Sequence, residues 1–399
     1  MSPAARLLIA ARALRAFGDG VVALLLPLHL TALGFSPVQV GALTTATLLG
    51  SAALTLLVGL VSHRLAPRAL LFAACGLMLA TGLAFAGVKD FWVLMLVGFV
   101  GTLNPSGGDV SPFLPLEQSL LAHAGPDADR TKLFARYSLT GSLAAAAGAL
   151  ALGVFDRLGR GVGLDGLQIG RGLFLLYGGI GLAVALIYRQ LPKIAPEAEP
   201  PRTPLGPSRP QVLRLAALFS LDSFGGGFIV QSLLALWLFR TFGLSLQAAA
   251  AFFFWAGVLT AFSQLAAGRL AKRIGLVNTM VFTHIPAQLC LIAAAFAPNL
   301  PVALTLLLMR ASLSAMDVPA RTSYVMAIVT PAERAAAASV TNVPRSLASA
   351  LSPSLAGVLM TASPFAWPLV IGGGLKIAYD LALLGLFSRV KPPEEQASA

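Results

Sequence analysis

A chain of 399 residues that is 57% hydrophobic and only 11% charged, with a mean hydropathy of +0.82, has too few ionisable side chains to cover a water-exposed surface; soluble domains carry about 25%. That excludes a soluble enzyme, a nucleic-acid-binding protein and a disordered chain, and it points to a polytopic membrane protein. The net charge of +12 then records topology in the loops rather than an affinity for nucleic acid.

A spanning helix needs about 20 mostly apolar residues. Such runs number about twelve, near 6–32, 38–62, 69–88, 91–121, 132–154, 172–188, 212–239, 246–268, 276–297, 301–329, 335–360 and 367–388. The first is read as a span and not as a cleavable leader, because Arg12, Arg15 and Asp19 interrupt it. The runs are rich in Ala and Gly, which suits close helix packing in lipid. No ~10-residue segments of alternating polarity mark a transmembrane barrel. Cys75 and Cys290 both sit inside apolar runs, so neither a disulfide framework nor a Cys-ligated metal is indicated.

Loop charge sets the orientation. Loops after even-numbered spans carry Arg64 and Arg68, then Arg130, Lys132 and Arg136, then Arg189, Lys193, Arg202, Arg209 and Arg214, then Arg269, Lys272 and Arg273, and finally Arg334. The opposite side holds Lys89, Arg157, Arg160, Arg171 and Arg240. The positive-inside rule therefore expects both termini in the cytoplasm. Residues 191–210, dense in proline and charge, read as a semi-stiff cytoplasmic linker. The expected organisation is a six-helix half over 1–190, the linker 191–210, a second six-helix half over 211–390, and a cytoplasmic tail 391–399.

The halves repeat. Gly34-Phe35-Ser36 aligns with Gly243-Leu244-Ser245, Gly59 and Arg64 with Gly268 and Arg273, Asp109-Val110 with Asp317-Val318, and Ser142-Leu143-Ala144 with Ser346-Leu347-Ala348. With these residues in view, the sequence resembles the major facilitator superfamily (MFS) over its whole length. Between spans two and three, Gly59, Arg64 and Arg68 match the family signature, as Gly268, Arg273 and Gly275 do in the second half; its Asp is replaced by His63 and Lys272. Thr330-Pro331-Ala332-Glu333-Arg334 matches a second family pattern, and it also reads as a helix start, with Thr330 capping and Glu333 completing a capping box. The Gly-Pro pattern of antiporters is absent from span five, which has Gly141, Gly148 and Gly153 without the proline. The run from Met316 to Leu347 is similar to that of bacterial members. The resemblance implies an all-α fold of two pseudo-symmetric six-helix halves, a bacterial inner-membrane location, and a central cavity lined by spans one, four, seven and ten. It also implies a cytoplasmic gate, for which the candidates are Gly59, Arg64, Arg68, Glu117, Arg136, Gly268, Arg273, Glu333, Arg334 and Arg345.

Ionisable residues inside a membrane are expensive and mark functional sites by default. The four cavity-lining spans contain Arg12, Arg15 and Asp19; Asp109 and Glu117; Asp222 and Gln231; and Arg310, Asp317 and Arg321. Arg15/Asp19, Asp317/Arg321 and Lys376/Asp380 are each four apart and can neutralise themselves on one helix face. Asp109 and Glu117 have no basic residue four positions away, and a buried carboxylate without a cation is what a reversible proton carrier needs. For Asp109 the alternative is an ion pair with Arg310 or Arg136, and for Glu117 a gate contact with Arg64. The surrounding Asn104-Pro105, Gly107-Gly108, Pro112 and Pro115 predict a broken helix. Asp222 is a second candidate carrier. His284 and Gln288 share one helix face, where a lone imidazole is more often a helix–helix hydrogen bond than a ligand. Coordination of a hard cation by the acidic residues is a further alternative.

Trp92 and Trp367 flank span ends as interfacial anchors. Gly161-Val162-Gly163-Leu164-Asp165-Gly166 matches GxGxxG, but it lies in a loop with no strand before it, so it is no dinucleotide site. No HExxH, CxxC, Walker A or GxSxG pattern is present, and no enzyme activity is expected. The reading is a secondary active transporter working by alternating access. Its proton-coupling candidates are Asp109, Asp222, Asp317 and Asp19; its substrate-cavity candidates are Arg15, Asn104, Gln231, Arg310, Arg321 and His284. It needs no cofactor and no resident metal, and its partners are a small-molecule or ion substrate, protons and the lipid bilayer. Export is implied by the resemblance alone. A uniporter or cation exporter whose acids touch substrate is the alternative within transport, and a non-transporting membrane receptor is the alternative outside it.

Overall fold

The computed structural model describes residues 1–61, 65–106, 111–122, 130–191, 205–330, 333–388 and 390. The expected gate residue Arg64, the lead proton-coupling candidate Asp109, most of the linker and the tail 391–399 lie outside the described residues.

Among the described residues the regular structure is entirely helical. The first half comprises α1 (Pro3–Ala32), α2 (Pro37–Val61), α3 (Pro67–Gly87), α4 (Phe91–Val100), α5 (Phe113–Ala122), α6 (Arg130–Gly161) and α7 (Gly166–Tyr188). The second comprises α8 (Arg209–Gly227), α9 (Gln231–Phe242), α10 (Leu246–Ile274), α11 (Leu276–Ala295), α12 (Leu300–Leu313), α13 (Asp317–Ile328), α14 (Arg334–Ala362) and α15 (Trp367–Phe387). Nine segments of the described chain are long and apolar enough to cross a bilayer. The 30-residue α1 and 29-residue α14 are long enough but are not among the nine.

Helix starts follow their sequence signals. Ser2 accepts from the Ala5 N–H at 3.2 Å, Asp90 from Val93 at 3.0 Å and Asn299 from Val302 at 3.1 Å. Asp165 and Gln168 form a reciprocal capping box at 2.8 and 2.9 Å, so the GxGxxG match ends as a helix cap.

Each of the expected fourth, seventh and tenth spans is two helices. The break between α4 and α5 falls where the prolines and paired glycines predict one. The other two breaks were not expected. Gly225-Gly226-Gly227 precedes the turn at Phe228–Val230 in span seven, and triple glycine is poor at sustaining a helix. In span ten, restarting the helix at Asp317 puts Pro319 in the first turn, where its missing N–H costs nothing.

The sequence repeat is also a packing repeat. α1 packs on α6 and α7 as α8 packs on α14 and α15, and α3 on α7 as α11 on α15. Both leading pairs are held close by glycine. A Cβ on Gly20 would stand 2.0 Å from the Ala145 carbonyl oxygen, and one on Gly227 would stand 2.3 Å from that of Ser349, so the backbones touch directly. Gly34 and Gly243, aligned in the sequence, both adopt the left-handed region (φ +89° and +59°) that closes the first span of each half.

The chain forms two compact units, one of Met1–Glu199 with Val230–Trp255, the other of Pro200–Ile229 with Ala256–Ala399. The second is built on Val212, Leu215, Phe219, Met280, Tyr324, Tyr379 and Leu383, all buried. Large apolar side chains such as Leu57, Leu60, Leu96 and Phe262 point outward, as a lipid-facing surface requires.

Candidate functional site

Each unit holds a buried polar centre. In the first, Glu117 of α5 is fully buried and is the focus of three other helices. The Arg15 guanidinium of α1 donates to its carboxylate, and so do the phenols of Tyr137 on α6 and Tyr188 on α7. Arg15 also reaches Ser111 at 3.4 Å and lies 4.2 Å from the centre of the Phe113 ring. Arg15 was expected to neutralise Asp19 within α1; its ion pair runs instead to Glu117, 102 residues away. Glu117, expected beside Arg64 at the gate, takes its cation from α1. Arg12 lies over the Tyr137 ring, and Asp19 is buried in the same helix. Asn104 closes the broken span locally, accepting from the Ser106 N–H and hydroxyl at 3.2 and 2.7 Å. Gln231 opens α9, next to Ser232, whose N–H donates to the Pro105 carbonyl at 3.1 Å.

About 21 Å further along α1, at 1.5 Å per residue, His29 lines a cavity of about 400 Å³ with Leu28, Asp156, Arg160, Phe239 and Leu246. Asp156 accepts from Arg160 at 3.0 Å and from Gln247 at 3.0 Å. The only charged lining residues there are already paired with each other.

The second unit's centre draws on six helices. Asp222 of α8 has both carboxylate oxygens committed to cations: Oδ1 to Lys376 Nζ of α15 at 2.6 Å, and Oδ2 to Arg321 of α13 at 3.1 Å. Arg321 also donates to Asp317 at 2.6 Å, the i,i+4 pair expected from sequence. His284 of α11 joins a second carboxylate, with Nδ1 2.9 and 3.0 Å from the two oxygens of Asp380 and Nε2 3.9 Å from Asp222. Lys376 and Asp380, expected to pair with each other, thus go to different partners. The reason is geometric: neighbouring helices present Asp222 to one and His284 to the other. Arg345 of α14 donates to the Ser223 hydroxyl at 2.9 Å. Arg310 of α12 is half-buried, and its Nε has no hydrogen-bond partner. Among the described residues no group of three His, Cys, Asp or Glu side chains is placed to hold a metal ion.

Among the gate candidates, Arg68 caps the end of α7, donating to the carbonyls of Arg189 at 2.6 Å and Leu191 at 3.3 Å. Gly59 ends on α2; Arg136 on α6, and Gly268 and Arg273 on α10, are exposed. Arg334 is exposed and reaches the Met326 carbonyl at 3.3 Å. Glu333 does not complete the expected capping box, because α14 begins one residue after it. Its carboxylate is taken up elsewhere, by the hydroxyls of Ser208 and Thr330 at 2.7 Å each and the N–H groups of Gly206 and Ser208. These hydroxyl bonds, helped by the two N–H groups and opposed weakly by burial, pull its carboxyl down to about 2. A depressed carboxyl stabilises the fold above its ordinary value near 4.5 and loses that contribution as pH falls toward 2. Thermal unfolding of wild type and Glu333→Gln should therefore differ by a constant amount from pH 8 to 5, and the gap should close as the pH approaches 2. A gap that does not change with pH would mean that ionisation of Glu333 is not what holds the loop.

The members of these two centres that sequence reasoning did not single out are Tyr137, Tyr188, Ser223 and Lys376 in its role toward Asp222. The two phenols gave a signal of sorts, being polar groups in apolar spans.

The pattern common to the Major Facilitator Superfamily matches residues 8–312 and again 215–399, the two matches overlapping as a duplicated fold would. A Saccharomyces cerevisiae protein named as the uncharacterized membrane protein YJR124C is 25% identical over 418 residues, covering 96% of this chain and 93% of that one. Among solved structures, the fold is similar to the nucleoside transporter NupG (16% identity, 96% and 99% of the two chains, TM-score 0.75). It is also similar to the inward-open xylose transporter XylE from E. coli (15%, 98% and 98%, TM-score 0.73). A bacterial homologue of the human lysosomal transporter Spinster gives 18%, 96% and 96%, with a TM-score of 0.73. With its family pattern running the length of the sequence and its helices packed as two copies of one arrangement, the chain belongs to the major facilitator superfamily.

Proposed function

We propose that this multi-pass membrane protein is a secondary active transporter that moves a small solute by alternating access, coupled to protons, with both termini in the cytoplasm. The observation that carries the coupling is the imidazole of His284, set between two carboxylates of the second unit. Asp222 is fully engaged by Lys376 and Arg321, whereas Asp380 is engaged by the imidazole. The His284–Asp380 pair can therefore exchange a proton while Asp222 keeps both cations. Among similar folds, one solved protein is a D-xylose-proton symporter.

The reading makes the imidazole the proton-accepting element and Asp222, Arg321 and Asp317 the charged wall beside it. The test is flux in proteoliposomes. Labelled sugars, nucleosides, carboxylates and phosphate esters are offered with and without an imposed pH gradient. Transport of at least one solute should rise with the gradient and fall when a protonophore collapses it. His284→Gln should retain folded protein on size-exclusion chromatography but lose the gradient dependence. Flux that ignores the gradient in wild type would establish uniport instead, and gradient dependence retained in His284→Gln would remove the imidazole from the coupling.

A further inference from the structure

We infer that the transported solute carries a carboxylate or phosphate group, recognised by Arg345 and Arg310; the inference rests on reading the second unit's buried centre as the transport site. The centre contains four permanent cations, Arg310, Arg321, Arg345 and Lys376, and three carboxylates, Asp222, Asp317 and Asp380. Every carboxylate is already committed: Asp222 to Lys376 and Arg321, Asp317 to Arg321, and Asp380 to His284. That leaves two guanidinium groups. Arg345 has a neutral serine hydroxyl as its hydrogen-bond partner, and the Arg310 Nε is buried with none.

Both sit on helices that the sequence reads as membrane spans, where an uncompensated charge is costly to place. Their surroundings relieve that cost only in part, because the nearby carboxylates already serve other cations. Arg345 lies within electrostatic reach of a like charge, Arg321, as well as of Asp222 and Asp317, while Arg310 feels Asp222. Both arginines are half-buried, neither sealed in the core nor fully out in the open. Two adjacent spans thus carry cationic forks for which, among the described residues, no uncommitted oxyanion serves as partner. Guanidinium is the side chain whose geometry matches carboxylate and phosphate bidentately. A neutral sugar or nucleoside would leave this charge uncompensated, and a cationic solute would be repelled by it.

The experiment measures ligand-induced thermal stabilisation of the full-length protein in detergent, with probes in pairs that differ by the anionic group. The pairs are lactate and 1,2-propanediol, succinate and 1,4-butanediol, benzoate and benzamide, and glycerol 3-phosphate and glycerol. At least one anion should raise the melting temperature while its uncharged partner does not, and whether the responders are carboxylates or phosphates decides between the two groups. Arg345→Gln should weaken binding of the responding anion at least tenfold, and Arg345→Lys should weaken it less. Without ligand, Arg345→Gln should melt no lower than wild type, because it removes a charge that had no ionic partner. Stabilisation by the uncharged partners alone, by none of the anions, or equally in Arg345→Gln would overturn the assignment. Because binding is read without a pH gradient, the substrate class can fail while proton coupling stands, and the reverse.

Discussion

Asp222→Asn should be among the most damaging single substitutions in the protein, costing about 3–5 kcal/mol of stability, as breaking one side of a buried ion pair does. The amide fills the same volume but carries no charge, so the loss is electrostatic. Lys376 would then be a buried ammonium with its one carboxylate partner gone, and Arg321 would keep only Asp317. Removing the stranded cation should therefore rescue the fold. Asp222→Asn combined with Lys376→Met should recover most of the lost stability, since replacing both members of a buried pair by groups of similar size is often nearly neutral. Thermal unfolding of the purified single and double variants checks both statements. A single variant as stable as wild type would mean that Lys376 reorients to Asp380, one turn away on the same helix. Transport should be lost in both variants, which separates the role of the charge in folding from its role in function.

Glu117→Gln is the counterpart in the first unit, with a similar expected cost of about 3–5 kcal/mol. Three donors converge on that carboxylate from α1, α6 and α7, so its charge ties together helices that are far apart in the sequence. The side chains around it should show a graded response. Tyr188→Phe deletes one hydrogen bond to a charged acceptor and should cost about 1.5–3 kcal/mol, leaving Arg15 still paired. If Tyr188→Phe proved as damaging as Glu117→Gln, the hydroxyl alone would carry as much as the charge it contacts, since the ring packed against Phe113 is kept.

The sequence was most informative where the relevant partner was near in the chain. Twelve apolar runs and the Asp317–Arg321 pair could be read from local spacing, whereas the capping box expected at Thr330–Glu333 did not form. The break in span four was legible because proline and glycine act on their own backbone. What was not legible was reach across helices. Lys376 lies four residues from Asp380 but 154 from Asp222, and nothing in either neighbourhood reveals which acceptor packing will bring closer. Arg15 likewise passes over Asp19 for Glu117. The tyrosines were overlooked because a phenol looks like core until a buried carboxylate is found beside it. Breaks in spans seven and ten escaped for a different reason: three glycines or one proline do interrupt a helix, but hydropathy averages straight through them.

The division of span seven between α8 and α9 has a consequence for how the molecule can be taken apart. Residues 230–255 belong to the same compact unit as residues 1–199, so the genetic duplication and the packed body have different edges. Severing the chain in the proline-rich linker would yield a first fragment with a hole in it. It would lack α9, whose Leu233, Ala235 and Leu238 are wholly buried, and against which α1 packs. The second fragment would carry that missing wall as an unsupported appendage. The first fragment would therefore close its core only by taking α9 from the second, so the two would not behave as autonomous modules joined by a tether.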